Sequence, residues 1–195
     1  MTLTEHSLSS EQVYDGVLLD VRRDEVALPD GSTSGREWIK HPGAAAAVPV
    51  DEDGQVVLIR QFRFGPRKEF WEVPAGKRDI DGEDPLDVAQ RELAEEAGLA
   101  AERWTRLGVT FPAIGYSDEA IVLYLAEGLS EVSEAADEDE FVESFRRPLA
   151  EVVEMARRGE IQDAKSCVAL LLADAELSRR SLSSRRMSGT PERET

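Results

Sequence analysis

The chain is predicted to be a mixed α/β domain, on three observations. Short apolar runs of strand length recur before residue 74 and again after residue 103. Between them lies a sharply bounded helix: Asp84-Pro85 supplies an N-cap followed by proline at the first helical position, and Gly98 stands where a left-handed cap belongs, so the helix spans 85–97. Helical periodicity returns over 149–158 and 164–177, with Gly159 as a stop between the two. Strands, a helix, strands and two helices, with no internal repeat, define the class.

Taken in order, residues 1–10 are polar and expected to be a flexible N-terminus. Residues 13–22 and 25–28 are strand-like, Asp30-Gly31 is a turn signal, and 37–39 return as the next strand. This makes residues 11–43 a small antiparallel β unit, too small to be stable unless it packs on something. Residues 44–50 and 55–62 are apolar runs separated by Asp51-Glu52-Asp53-Gly54, which reads as a hairpin, and 70–73 form a short strand before Pro74-Ala75-Gly76. Residues 104–110 and 120–126 are predicted strands flanking a loop over 111–118, and an acidic run precedes a strand over 141–146. The main domain is accordingly 44–178, and the Arg- and Ser-rich residues 179–195 are expected to be a disordered tail.

Composition narrows the function. With 195 residues, 41% hydrophobic and 32% charged, the chain suits one globular core. No stretch approaches the roughly 20 apolar residues of a membrane span, and the start, Met1-Thr2-Leu3-Thr4-Glu5, lacks the basic and apolar regions of a signal peptide. A cytoplasmic location without membrane partners is expected. A lone cysteine, Cys167, excludes an internal disulfide and a Cys-rich zinc cage, and only His6 and His41 supply imidazole, so chemistry must run mainly on carboxylates. Cys167, beside Val168, Leu170 and Leu171, reads as a core residue rather than a nucleophile. The net charge of −17 repels nucleic-acid phosphates. Arginine outnumbers lysine 19 to 4, which fits either a salt-rich cytoplasm or a high-GC genome.

On the predicted helix, Glu92, Glu95 and Glu96 lie at i, i+3 and i+4, within an arc of about 100°. Three like charges on one face repel, at some tenths (~0.3) of a kcal/mol per pair, unless cations sit there. Oxygen ligands of this kind suit Mg²⁺ or Mn²⁺, which bind through one or two carboxylates, waters and substrate phosphates. On spacing alone, a solvated acidic face is the better reading.

The wider string reverses that reading. Gly76, Glu83, Arg91, Glu92, Leu93, Glu95, Glu96, Gly98 and Leu99 are spaced Gly-x6-Glu-x7-Arg-Glu-Leu-x-Glu-Glu-x-Gly-Leu. This resembles the Nudix box, matching every fixed position with one extra residue in the first spacer, in a loop where insertion is tolerated. The resemblance implies a Nudix-type α/β/α sandwich with a mixed sheet beside the N-terminal β unit, and a divalent cation, Mg²⁺ or Mn²⁺, as cofactor. It implies Glu92, Glu96 and Glu95 as metal ligands with the backbone carbonyl of Ala75. Gly76 permits the turn that aims this carbonyl, Arg91 partners a helix carboxylate, and Glu83 anchors the loop. The acidic run over 137–143 is similar to the acidic loop that carries the catalytic base in ADP-ribose pyrophosphatases. Glu140, next to Phe141, is the expected base, with Glu138 and Asp139 as alternatives.

The likeness continues through Arg36-Glu37, His41-Pro42-Gly43-Ala44, Gln61-Phe62-Arg63, Glu72-Val73-Pro74-Ala75-Gly76, Gly115-Tyr116-Ser117-Asp118-Glu119 and the C-terminal helices. By resemblance Arg63 contacts substrate phosphate, which its bidentate fork suits. Arg36 and Trp38 approach the nucleotide from the partner subunit of a homodimer, although Trp38 can equally fill the N-terminal hairpin. Ser117 and Glu119 face the sugar end. The implied reaction is hydrolysis of ADP-ribose, a nucleotide sugar, to AMP and ribose 5-phosphate. Such enzymes carry a proline about 15 residues past the box; here Ile114 occupies that place and Pro112 lies two residues earlier. Another nucleotide sugar such as a GDP-sugar, or a non-catalytic module that senses nucleotide sugars, therefore stays open as an alternative, though every box carboxylate is present.

Overall fold

Seven successive buried residues, Ala44–Val50 (β4), form the strand around which the larger of two sheets is built. A computed structural model describes residues 2–78, 82–133 and 141–188, with the side chains of 185–188 excepted. In chain order the other elements are β1 (His6–Asp15), β2 (Asp20–Ala27), β3 (Thr33–Lys40), β5 (Gln55–Arg63), β6 (Lys68–Glu72) and β7 (Ala75–Lys77). They are followed by α1 (Pro85–Ala97), β8 (Leu99–Thr110), β9 (Ile121–Glu131), β10 (Glu143–Pro148), α2 (Leu149–Arg157) and α3 (Ala164–Ser188).

The strand β4 runs parallel to β9 and antiparallel to β7, inside a mixed seven-stranded sheet ordered β10-β5-β4-β9-β8 with β6 on β5. Alternate residues of a strand face opposite sides of its sheet. Ala44, Ala46, Val48 and Val50 accordingly join Leu58, Leu123, Val152, Ile161 and Leu170 under α2 and α3. On the other face Ala45 meets Val88 and Ala89 of α1, while Leu93 packs with Val57, Leu99 and Ala126. A strand covered on both faces reads as a continuous apolar run, and the small side chain of Ala45 lets α1 approach closely. The layers are helix, sheet, helix, as the resemblance implies.

Helix α1 is fixed at both ends. The Asp84 side chain accepts the Leu86 N–H at 2.9 Å, proline holds the first turn, and Gly98 (φ 64°) sends its N–H back to Ala94 O at 2.9 Å. The three-stranded sheet β1-β2-β3 sits apart from the larger one. It is joined by the Ile39 N–H to Tyr116 O (2.8 Å), Asp118 N–H to Ile39 O (3.3 Å), and the Ser117 hydroxyl to Ile39 O (3.2 Å).

Both chain ends differ from expectation. The segment expected to be flexible over 1–10 enters β1 at His6, and the strand expected over 13–22 is broken by a turn in which Gly16 N–H meets Leu19 O at 2.9 Å. Every residue of β1 is exposed, so it carries no buried periodicity for a sequence reading to find; pairing with β2 and the Ser7 hydroxyl on Asp24 (3.0 Å) hold it. The tail expected to be disordered from 179 is helical to Ser188. Charge holds it there: Glu176 takes both Arg179 and Arg180, and Arg180 reaches Glu127 and Thr105, each at 2.7 Å. Those two arginines hold the Glu176 carboxyl down to about 2, against burial. The strands at the far side also run longer or later than predicted, β8 starting at Leu99 directly after the helix cap and β10 at Glu143. Among the described residues no helix is long and apolar enough to cross a membrane.

The cap is the testable element here. Asp84→Ala leaves the Leu86 N–H without its acceptor and should lower stability by about 1 kcal/mol in urea denaturation at neutral pH. A change under a few tenths (~0.3 kcal/mol) would show that the proline alone fixes the helix start.

Candidate active site

The face of α1 that carries the box turns toward the edge formed by the 72–77 segment. Glu92 and Glu96 are both buried, at 8% and 9% exposure, while Glu95 is partly open to solvent. Two buried carboxylates so close need compensation, and the neighbouring groups supply part of it. The Ala75 N–H donates to Glu96 Oε2 at 2.8 Å. Arg91 Nη1 donates to Glu92 Oε1 at 2.7 Å and to Glu95 Oε2 at 3.1 Å, and its Nη2 reaches Lys77 O at 3.3 Å. The same guanidinium lies 3.8 Å from Glu83. Arg91 is thus a partner of the helix carboxylates, and Glu83 belongs to the same cluster.

Gly76 has a steric reason. A methyl group at this position would overlap the Glu92 carboxylate, so the strand must lack a side chain there for Glu92 to lie against it. Pro74 O is held by the Ala47 N–H at 2.9 Å, and Gly76 pairs with Ala45, so β4 fixes the backbone on which both carboxylates rest.

These groups line a cleft of about 820 Å³, within the range of ligand sites of nucleotide size. Arg63, at the end of β5, lies in its wall, with Nε and Nη2 gripping the two oxygens of Glu72 at 2.7 Å each. Glu72 is 2% exposed and also receives Lys165 Nζ, which in turn donates to Asp163 at 2.9 Å. Burial pushes the Glu72 carboxyl up, but Arg63 and Lys165 outweigh it and hold the group below the usual glutamate range; the same bond raises Arg63. At the far end His41 faces Glu119 at 3.7 Å, and the Ser117 hydroxyl accepts the Glu119 N–H at 3.1 Å.

Of the residues singled out from sequence, the structure brings Arg63, Ala75, Glu92, Glu95, Glu96 and Glu119 to one cleft. Ser117 stands behind it, joining Ile39 to the turn before Glu119. Arg36 and Trp38 lie in the N-terminal sheet away from it: Arg36 grips Glu5 at 2.6 and 2.9 Å, and Trp38 pairs with Arg22 of β2. Glu140, with Glu138 and Asp139, lies outside the described residues. Sequence reasoning quoted Glu72 within a stretch of likeness but gave it no role, and missed Asp163, Lys165 and Ser166. A signal was present, since Glu72 interrupts the apolar run Phe70-Trp71-Glu72-Val73, and a charge in a buried strand demands partners.

The donor set fits a hard divalent cation: carboxylate oxygens on one buried face and a backbone segment held against them. Among the described residues no three His, Cys, Asp or Glu side chains gather into a complete cage.

Comparison with known proteins agrees with this geometry. Residues 40–170 match the NUDIX domain and residues 5–39 the nucleoside diphosphate sugar hydrolase N-terminal domain. The chain belongs to the Nudix family. Among its relatives are an ADP-ribose pyrophosphatase of Bacillus subtilis (strain 168), 37% identical over 87% of this chain and 92% of the relative, and one of Mycobacterium tuberculosis (strain ATCC 25618 / H37Rv), 38% identical over 87% and 83%. A methanol dehydrogenase activator of Bacillus methanolicus is 39% identical over 85% of this chain and 90% of its own. The fold superposes on a crystal structure of an ADP compounds hydrolase with a TM-score of 0.80 at 25% identity, over 92% of this chain and 98% of that one.

Two substitutions check the geometry. Gly76→Ala should displace the Glu92 carboxylate and lower turnover by about 100-fold with little change in melting temperature. Glu72→Gln removes the shared partner of Arg63 and Lys165, and should cost about 3 kcal/mol at pH 7 in urea titration. The sign follows from the lowered carboxyl: its stabilisation is present above the ordinary glutamate value and is lost as pH falls through the lower folded value. The difference between wild type and Glu72→Gln should therefore shrink as pH falls below the ordinary glutamate value and the wild-type carboxyl protonates. A difference that persists in acid would refute the ionic role.

Proposed function

We propose that this chain hydrolyses the diphosphate bond of ADP-ribose, giving AMP and ribose 5-phosphate, with Mg²⁺ as cofactor and Mn²⁺ as a substitute. The observation that carries the reading is the buried pair Glu92 and Glu96, seated on Gly76 and Ala75, sharing one cleft with Arg63. Relatives named ADP-ribose pyrophosphatase over most of the chain support the substrate.

Glu92 and Glu96, supported by Glu95 and the Ala75 carbonyl, would hold the cation, which when bound would supply charge neutralisation for the diphosphate and a more acidic water for attack on phosphorus. The rest falls to the chain itself. Arg63 has its guanidinium aligned by Glu72, so its remaining N–H groups can take a phosphate oxygen without first being ordered. Glu140 is the base that removes the proton of the attacking water. Glu119, buttressed by His41 and Ser117, meets the sugar end.

The N-terminal sheet supplies the dimer interface. Its outer strand β1 is unpaired on one side and exposed throughout, with Leu8, Val13 and Tyr14 open to solvent, a surface that a second copy can cover. Arg36 and Trp38 reach the partner's nucleotide from there. The reaction runs in the cytoplasm and needs no nucleic acid, in keeping with one cysteine and a net charge of −17.

The test is AMP release from ADP-ribose. EDTA should abolish it and Mg²⁺ restore it, and Glu92→Gln and Glu96→Gln should each lower turnover by about 100-fold or more. Unchanged turnover in both variants disposes of the ligand assignment. A panel of ADP-ribose, GDP-mannose, NADH and diadenosine polyphosphates fixes the substrate, and preference for GDP-mannose, whose pyrophosphatases include a relative 32% identical over 66% of this chain, would replace ADP-ribose.

A further inference from the structure

The pair Arg63 and Glu72 belongs to a larger connected set of side chains, whose other members have no part in the scheme above. Glu72 is held by Arg63 on one side and by Lys165 on the other. Lys165 also donates to Asp163 Oδ2 at 2.9 Å, and the same oxygen takes the Ser166 N–H at 3.0 Å and the Ser166 hydroxyl at 2.5 Å. Ser166 Oγ then accepts the Val73 N–H at 2.9 Å. The set closes on itself, leaving β6 through the Glu72 side chain and returning through the backbone of the next residue. All of it is screened from solvent where it matters: Ser166 is fully buried, Glu72 is 2% exposed and Lys165 9%.

We propose that Lys165 and Ser166, at the start of α3, are positioning residues for hydrolysis, each setting a different half of the site. Lys165 sets the phosphate half. With Nε and one Nη2 hydrogen of Arg63 committed to Glu72, the Nη1 group is left for a substrate oxygen. The direction of Nη1 is therefore set by the Glu72 carboxylate plane. Glu72 is anchored from the opposite side by Lys165, and it must stay ionised to offer both oxygens to the fork; a buried ammonium beside it secures both. Ser166 sets the carboxylate half. It pins Val73, three residues before the glycine against which Glu92 rests and two before the amide that holds Glu96. Asp163 links the two, so the start of α3 holds the phosphate arginine and the carboxylate-bearing edge in mutual register. The inference rests on the proposed roles of Arg63, Glu92 and Glu96.

Two affinities separate the halves. Binding of the α,β-methylene analogue of ADP-ribose, or of whichever nucleotide sugar the wild type cleaves in the substrate panel, is measured by calorimetry in EDTA and reads Arg63. Binding of Mn²⁺ alone, followed by electron paramagnetic resonance, reads the carboxylates. Lys165→Met should weaken the metal-free analogue about tenfold and leave Mn²⁺ affinity unchanged, with Lys165→Arg restoring most of the loss. Ser166→Ala should weaken Mn²⁺ about tenfold and leave the metal-free analogue unchanged. Wild-type values in both variants overturn the proposal. So does an equal loss in both readouts accompanied by the same drop in melting temperature, which would mean general loosening. A wild type that ignores ADP-ribose but cleaves another member of the panel removes only the substrate assignment, because the two affinities still decide the positioning roles.

Discussion

Helix α1 can bury Glu92 and Glu96 only because the chain facing it has no side chain at residue 76 and a free amide at residue 75. Removing two carboxylates from water is expensive, and burial without compensation would favour either protonation or a rotated helix. The Ala75 amide and the Arg91 guanidinium meet that demand in part. A rotation of α1 by one residue, about 100°, would carry both carboxylates off the strand. The Asp84 cap, the left-handed Gly98 and the apolar contacts of Val88, Ala89 and Leu93 with the sheet therefore bear on the site as directly as its own residues do. Ala45 of β4 belongs to the same requirement, since a larger side chain there would lift the helix away from the edge it must touch.

Charge distribution poses a second problem. A molecule with a net charge of −17 repels an anionic substrate at long range, more so at low salt. The cleft counters this locally. Arg63, Lys77, Arg91 and Lys165 all line it, so two of the chain's four lysines stand in one place. Arg63, Arg91 and Lys165 are each held by carboxylate oxygens, which keeps these cations oriented. On the proposed reading a divalent cation then shifts the local balance further toward the diphosphate, and the acidic exterior disfavours polyanions too large to enter.

The helix was legible because its signals are local: a cap, a proline, a terminal glycine and nine spaced positions all fall within one short stretch. The sandwich was legible only through the resemblance that the box carries; the apolar run of β4 by itself announced a strand. What escaped is held by interactions that hydrophobic periodicity does not register. Strand β1 is exposed on both faces and depends on backbone pairing, so nothing in its residues alternates. The last turns of α3 depend on Glu176 and Arg180, whose partners Glu127 and Thr105 lie 53 and 75 residues away in sequence. The Glu72 network is non-local in the same sense, since Lys165 is 93 residues distant. Only the incongruity of a glutamate within an apolar strand announced it. Arg63 could be placed by resemblance, but its dependence on Glu72 could not.

In the proposed dimer the N-terminal sheet would serve two clefts. Its β1–β2 turn brings Leu18 to the wall of the cleft in the same chain, while its β3 residues Arg36 and Trp38 lie away from that cleft. Arg36 is held by Glu5 within the chain, but both partners of this pair are substantially exposed, and exposed pairs are worth little. Exchanging Glu5 for a phosphate or ribose group on a partner subunit therefore costs little, and a charge-assisted contact with phosphate recovers more than the exposed carboxylate supplied. The hydrogen bonds from Ile39 and Ser117 to the loop before Glu119 then acquire a further meaning. They fix the angle at which β3 leaves the domain, and with it whether Arg36 and Trp38 can reach across a dimer at all.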